Sequence, residues 1–159
     1  MPIEEEVLNE LKLDDFTPAK IVDNLKLVPE IFDFLKLKEN LLGRSKGLVT
    51  YITAITIWAF RKKYKNMLRK IPESFLEKLW ESFKDTNKKD IFDVPYKIEP
   101  NMWKYFLSLI YLEAQRDNWD KMDLLIAATV YAPILLGCCW IFYPEEDLLK
   151  VEEVWKEKN

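Results

Sequence analysis

Apolar residues recur along this chain at helical spacing, and almost nowhere in the strict alternation of a half-buried strand. In residues 3–12, Val7, Leu8 and Leu11 share one face, and Glu4, Glu5 and Glu6 fall in a first turn where the helix dipole favours acids. Thr17 followed by Pro18 is a helix start, a side-chain cap with proline at the first helical position, and predicts a second helix to about residue 25. Pro29 opens a third, with Ile31, Phe32 and Leu35 turned inward. Residues 40–46 read as a polar link, with Ser45 as the cap of the next helix. Residues 49–57 are dominated by β-branched side chains, which suit a strand. They run without a turn signal into Phe60, Tyr64, Leu68 and Ile71 at helical spacing, so one long helix over 46–70 is predicted. The hydroxyls of Thr50, Thr53 and Thr56 are then expected to bond back to the preceding turn.

Beyond Pro72 the stripe Phe75, Leu76, Leu79, Trp80 and Phe83 predicts another helix. Residues 85–101, with two prolines and several charges, read as the longest irregular segment. Residues 102–115 form an aromatic helix carrying Trp103, Phe106, Leu107, Ile110 and Tyr111. Asp117 and Asn118 are expected to cap the next element, and residues 144–159 to form a last amphipathic helix. That helix is expected to bury Leu148, Val151, Val154 and Trp155, with acids first and lysines last.

Residues 124–143 break this pattern. They form a run of twenty residues, LLIAATVYAPILLGCCWIFY, without a charged side chain. As a helix the run would reach about 30 Å, enough to cross a bilayer. Three features favour a protein core instead. Acids flank both ends, so neither carries a positive-inside cluster. Pro133 divides the run into two shorter pieces, a hairpin or a kinked helix. The other helices are amphipathic and need an apolar partner to cover. The expected fold is therefore all-α: one domain over 1–159, a bundle of seven or eight helices around a buried apolar helix at about 119–143. Residues 1–40 would pack as N-terminal helices on a core of 46–159. A chain of 159 residues is long enough to bury about 70% of its unfolded surface.

The residue inventory narrows the chemistry. There is no histidine, which removes the commonest general base and metal ligand and closes Ser-His and Cys-His schemes. No phosphate-binding glycine loop, CxxC pair or GxSxG elbow is present. Cys138 and Cys139 are neighbours in an apolar setting and read as inert buried thiols. The carboxylates of Asp14–Asp15 and of 145–147 stand at helix starts, where acids serve as caps. No metal, cofactor or catalytic residue is therefore expected. One Gln against 20 Lys and 16 Glu is a thermophile-like composition, which an AT-rich genome also produces. The acidic N-terminus lacks the charged and apolar regions of a signal peptide, so a cytoplasmic location is expected.

Charge supplies the remaining leads. Residues 40–72 carry eight basic side chains and no acid, in a chain whose net charge is −3. On the predicted long helix Arg61, Lys62, Lys65 and Arg69 line one face, with Lys63 and Lys70 at its border, a stripe able to track phosphates. Residues 17–36 resemble a helix-turn-helix in outline, with Ile21, Val22, Leu25, Leu27, Phe32 and Leu35 at its core positions. The resemblance implies a DNA-reading second helix. Lys26 replaces the usual turn glycine, however, and Glu30 and Asp33 would repel phosphate. Trp119 and Trp155, near the ends of their elements, are candidate partner-interface residues. The leading expectation is a non-catalytic helical interaction module, bound to another protein or to a second copy. The second is an accessory nucleic-acid-binding protein using 61–70, and the third a membrane protein spanning at 124–143.

Overall fold

In the computed structural model, which describes residues 2–11, 16–85 and 88–158, the chain is all-α and no strand occurs among those residues. The side chains of 85–92, 150 and 153–158 lie outside the description. The elements are α1 (Glu5–Asn9), α2 (Pro18–Lys26), α3 (Pro29–Leu37), α4 (Glu39–Leu42), a 3₁₀ turn (Gly43–Ser45), α5 (Lys46–Tyr64), α6 (Phe75–Asp85), α7 (Lys88–Ile98), α8 (Pro100–Asp117), α9 (Lys121–Phe142) and α10 (Glu145–Lys158).

The charge-free run is α9, and it is buried. From Ala127 to Cys139 every residue of α9 is enclosed, so this stretch has no polar face to show to water. It is the one described helix long and apolar enough to cross a membrane, and 78% of its most apolar window is covered by the rest of the fold. Helices α4, α5, α6, α7 and α10 pack around it, while α1 and α2 lie on α5 and α3 lies on α6. One hydrophobic cluster extends from Ile3 to Val151.

Several elements differ from expectation. Pro133 does not split the run: α9 is one helix of 22 residues with Pro133 inside it. Proline forfeits one helical hydrogen bond there, and the packing on all sides holds the helix through it. The described part of 85–101 is not irregular. It contains α7, with Pro95 inside, and the start of α8, because Val94, Ile98 and Met102 are drawn into the core. The predicted helix over 46–70 stops at Tyr64, where Lys65 takes a φ of 69°. Helix α1 is shorter than predicted, and Ile3 lies outside it yet fully buried. Asp120 caps α9 in place of Asp117 and Asn118, sharing a reciprocal capping box with Asp123, while Asn118 ends α8 in the left-handed conformation. Val22, assigned to a helix-turn-helix core position, and Tyr111 of the aromatic helix are both partly exposed, at 40% and 54%.

Thr53 and Thr56 donate to the carbonyls of Val49 and Ile52, each at 2.7 Å, as the spacing predicts. Thr56 also meets the hydroxyl of Tyr131 on α9 at 2.7 Å. Since Thr56 spends its only proton on Ile52, Tyr131 is the donor of that bond. Phe106 stacks on Tyr131 with ring centroids 4.3 Å apart, and Trp103 lies 6.0 Å away on the same ring. This aromatic layer joins α8 to the middle of α9.

Candidate functional site

The basic segment is the first candidate, and the structure distributes its residues among different tasks. With α5 ended at Tyr64, residues 65–71 run without regular secondary structure as a strap across the C-terminal end of α9. Leu68 donates its N–H to the carbonyl of Ile141 at 2.8 Å. The Arg69 guanidinium donates to the carbonyls of Trp140 at 2.9 Å and Tyr143 at 2.6 Å, and pairs with Glu145 at 3.1 Å. Carbonyls at a helix C-terminus lack intrahelical partners and carry partial negative charge, so a guanidinium there is both a hydrogen-bonding and an electrostatic cap. At the opposite end of α9, Arg44 reaches the carbonyl of Asp117 at 3.0 Å and the Asp123 carboxylate at 3.7 Å.

Two more members of the predicted stripe are also engaged. Lys62 pairs with Glu10 and lies 5.3 Å over the ring of Trp58. Lys63 pairs with Glu4 at 2.5 Å and donates to the carbonyl of Pro2. Arg61, Lys65 and Lys70 stay exposed, with no ion pair among the described residues. Beside them Met67 and Leu68 are about half exposed. The surface there is thus a short irregular strap with two open cations, Lys65 and Lys70, and two apolar side chains, beside Arg61 on the last turn of α5.

The second candidate is Glu99, which composition alone did not single out. It is the residue between α7 and α8, and with Pro100 after it its backbone stays outside the helical region, at φ −133° and ψ 72°. Its side chain has no exposed surface. Its carboxylate accepts the N–H of Ile3 at 2.8 Å and the hydroxyl of Tyr143. Asn101 completes the contact by donating to the carbonyl of Ile3 at 3.0 Å. Burial pushes the Glu99 carboxyl up to about 7, against the opposing effects of Tyr143, Ile3 and Lys63. Strongly shifted carboxyls mark many catalytic sites. Here the group is sealed from solvent and committed to two donors, so its role in this fold is to pin the N-terminal segment to the core. The neighbouring Cys138 and Cys139 are free and buried, and burial raises both thiols. Such thiols are poor nucleophiles.

The third candidate is a cleft of about 290 Å³ between α3 and residues 71–77. Phe34, Leu37, Ile71, Phe75 and Leu76 supply its apolar lining, and Glu30, Asp33, Glu73 and Glu77 stand around it. Leu37 is 72% exposed although it is a large aliphatic side chain. Ser74 holds the loop with a φ of 66°. Behind the cleft lies Gly137 of α9, where an added Cβ would sit 3.1 Å from Leu76 and 3.3 Å from Ile71. Glu77 pairs with Lys38 at 2.8 Å, and that ammonium lies 3.5 Å over the ring of Trp80. Glu30, Asp33 and Glu73 form no ion pair among the described residues. The two acids that depart from the helix-turn-helix pattern are therefore part of this rim.

Trp119 is half-buried against the edge of the core, and the side chain of Trp155 lies outside the described residues. Asp14 and Asp15 lie outside them too. Among the described residues no three His, Cys, Asp or Glu side chains converge as a metal site would require. Compared with protein-family models, with curated proteins and with solved structures, the chain finds no match in any of the three.

Proposed function

We infer that the protein is a non-catalytic helical interaction module, a cytoplasmic subunit that holds a partner in the cleft between α3 and residues 71–77. The observation that carries this reading is the pairing of an apolar cleft, with Leu37 exposed at its edge and Phe75 partly so, with three acids that have no cation of their own among the described residues. Apolar lining gives a partner area to bury, and the uncompensated carboxylates select its charge. The partner chemistry that fits is a polypeptide segment with one or two large apolar side chains flanked by Lys or Arg. A labelled synthetic peptide alternating Leu and Lys tests this by fluorescence anisotropy. Micromolar binding that is lost in Glu30→Lys/Asp33→Lys supports the reading. Equal binding by the variant and the parent chain overturns it.

Nucleic-acid contact through 61–70 is the second reading, favoured by the open side chains of Arg61, Lys65 and Lys70. Three contacts would give a salt dependence no steeper than about −3 in log–log slope. A gel shift at two salt concentrations tests it, and no binding at low salt removes it. A membrane reading of α9 has less support, since its apolar surface is already covered by protein. It predicts that the purified chain needs detergent to stay monodisperse.

A further inference from the structure

The two halves of a complementary contact adjoin along the chain. The acidic cleft is formed by α3 and residues 71–77, and the basic strap 65–70 is the stretch of chain that leads directly into it. The strap offers Met67 and Leu68 as apolar side chains between the open cations Lys65 and Lys70. The cleft offers the exposed Leu37 and the partly exposed Phe75, over a buried base that includes Ile71, between Glu30, Asp33 and Glu73. The strap is held by its backbone and by Arg69, through bonds to Trp140, Ile141 and Tyr143, so presenting its other side chains costs no further ordering. It cannot fold back into its own cleft, because Leu68 and Arg69 are fixed to the end of α9.

We propose that the occupant of the cleft is the strap of a second copy of this chain, in a reciprocal dimer. When a surface and its complement lie side by side on one molecule, a two-fold axis between them satisfies both at once. The strap of each copy then enters the cleft of the other, and the assembly closes at two. The dimer rests on the reading of the cleft as a docking site and names its occupant. Four apolar anchors and two sets of opposed charges form a small interface, so its dissociation constant falls in the micromolar range and weakens with salt.

Sedimentation equilibrium between about 5 and 200 µM spans that range. The parent chain is expected to pass from monomer to dimer across it. Lys65→Glu/Lys70→Glu and Glu30→Lys/Asp33→Lys are each expected to stay monomeric, with helical circular dichroism and melting close to the parent. Mixing the two variants restores both contacts with opposite charges facing, so a heterodimer forms. Combining all four substitutions in one chain restores the homodimer. This mixing outcome separates a specific contact from two damaged proteins. A parent chain that remains monomeric at the highest concentration, or a dimer that both variants leave intact, overturns the proposal. If the chain is monomeric while the Leu/Lys peptide still binds the cleft, the docking site stands and its occupant is another protein. If neither binds, the docking site falls as well.

Discussion

Glu99 is the residue whose environment most changes its chemistry. A carboxyl raised to about 7 in the folded state, against about 4.5 in the unfolded chain, binds its proton more tightly when folded. Its contribution favours folding most fully below pH 4.5 and is lost as the pH rises through about 7. The difference corresponds to about 3 kcal/mol, as an order of magnitude. Urea denaturation of Glu99→Gln across about pH 4.5 to 8 should therefore show a flatter profile than the parent over that window. An unchanged slope would mean that other groups set it. Arg69 acts through charge as well, but at a helix end. Arg69→Ala removes two carbonyl partners and an ion pair at the C-terminus of α9, with a side chain only 17% exposed. The expected loss is about 2 kcal/mol in chemical denaturation, partly recovered by Lys. These roles are not legible in the sequence. Arg69 stands there as one of eight cations in a basic stretch, and only the fold reveals that unpaired carbonyls await it. Glu99 likewise gives no local sign that Ile3, distant in sequence, will supply its partner.

At the scale of elements, periodicity predicts most helices, because an amphipathic stripe must face a core whatever the topology. It fails where tertiary contacts outweigh local signals. Two prolines and a run of charge obscure α7, whose Val94 and Ile98 become apolar anchors once α8, α9 and α10 are beside them. The end of α5 is hidden for the opposite reason: Leu68 and Ile71 keep helical spacing, but the chain leaves the helix to cap α9. The pairing of α5 with α9 has an asymmetry that mutation can read. Tyr131→Phe removes one hydrogen bond and leaves the Thr56 proton on Ile52, at a cost of about 1 kcal/mol. Thr56→Val leaves the buried Tyr131 hydroxyl without an acceptor and should cost about 2–3 kcal/mol. Equal losses in thermal or urea melts would contradict the donor assignment.

For the molecule as a whole, the charge-free run is structural: α9 supplies the apolar centre that the amphipathic helices enclose, and its two ends are held by arginines. The proposed function falls on the outer surface, where the basic strap leads into the acidic cleft. The fold class and the buried helix can be read from the sequence because composition and spacing determine them. The cleft cannot, since it forms where α3 meets a loop about forty residues later, and nothing in the sequence marks Leu37 as exposed. The most direct test is a nitrogen-15 heteronuclear spectrum recorded while the protein is concentrated from about 10 to 200 µM. Signals from Leu37, Phe75 and Glu30 in the cleft, and from Lys65, Met67 and Lys70 in the strap, should shift together along one binding curve. Changes confined to other surfaces such as Tyr111 and Leu112 on α8, or spectra that do not change and that no basic peptide perturbs, would contradict the proposed docking.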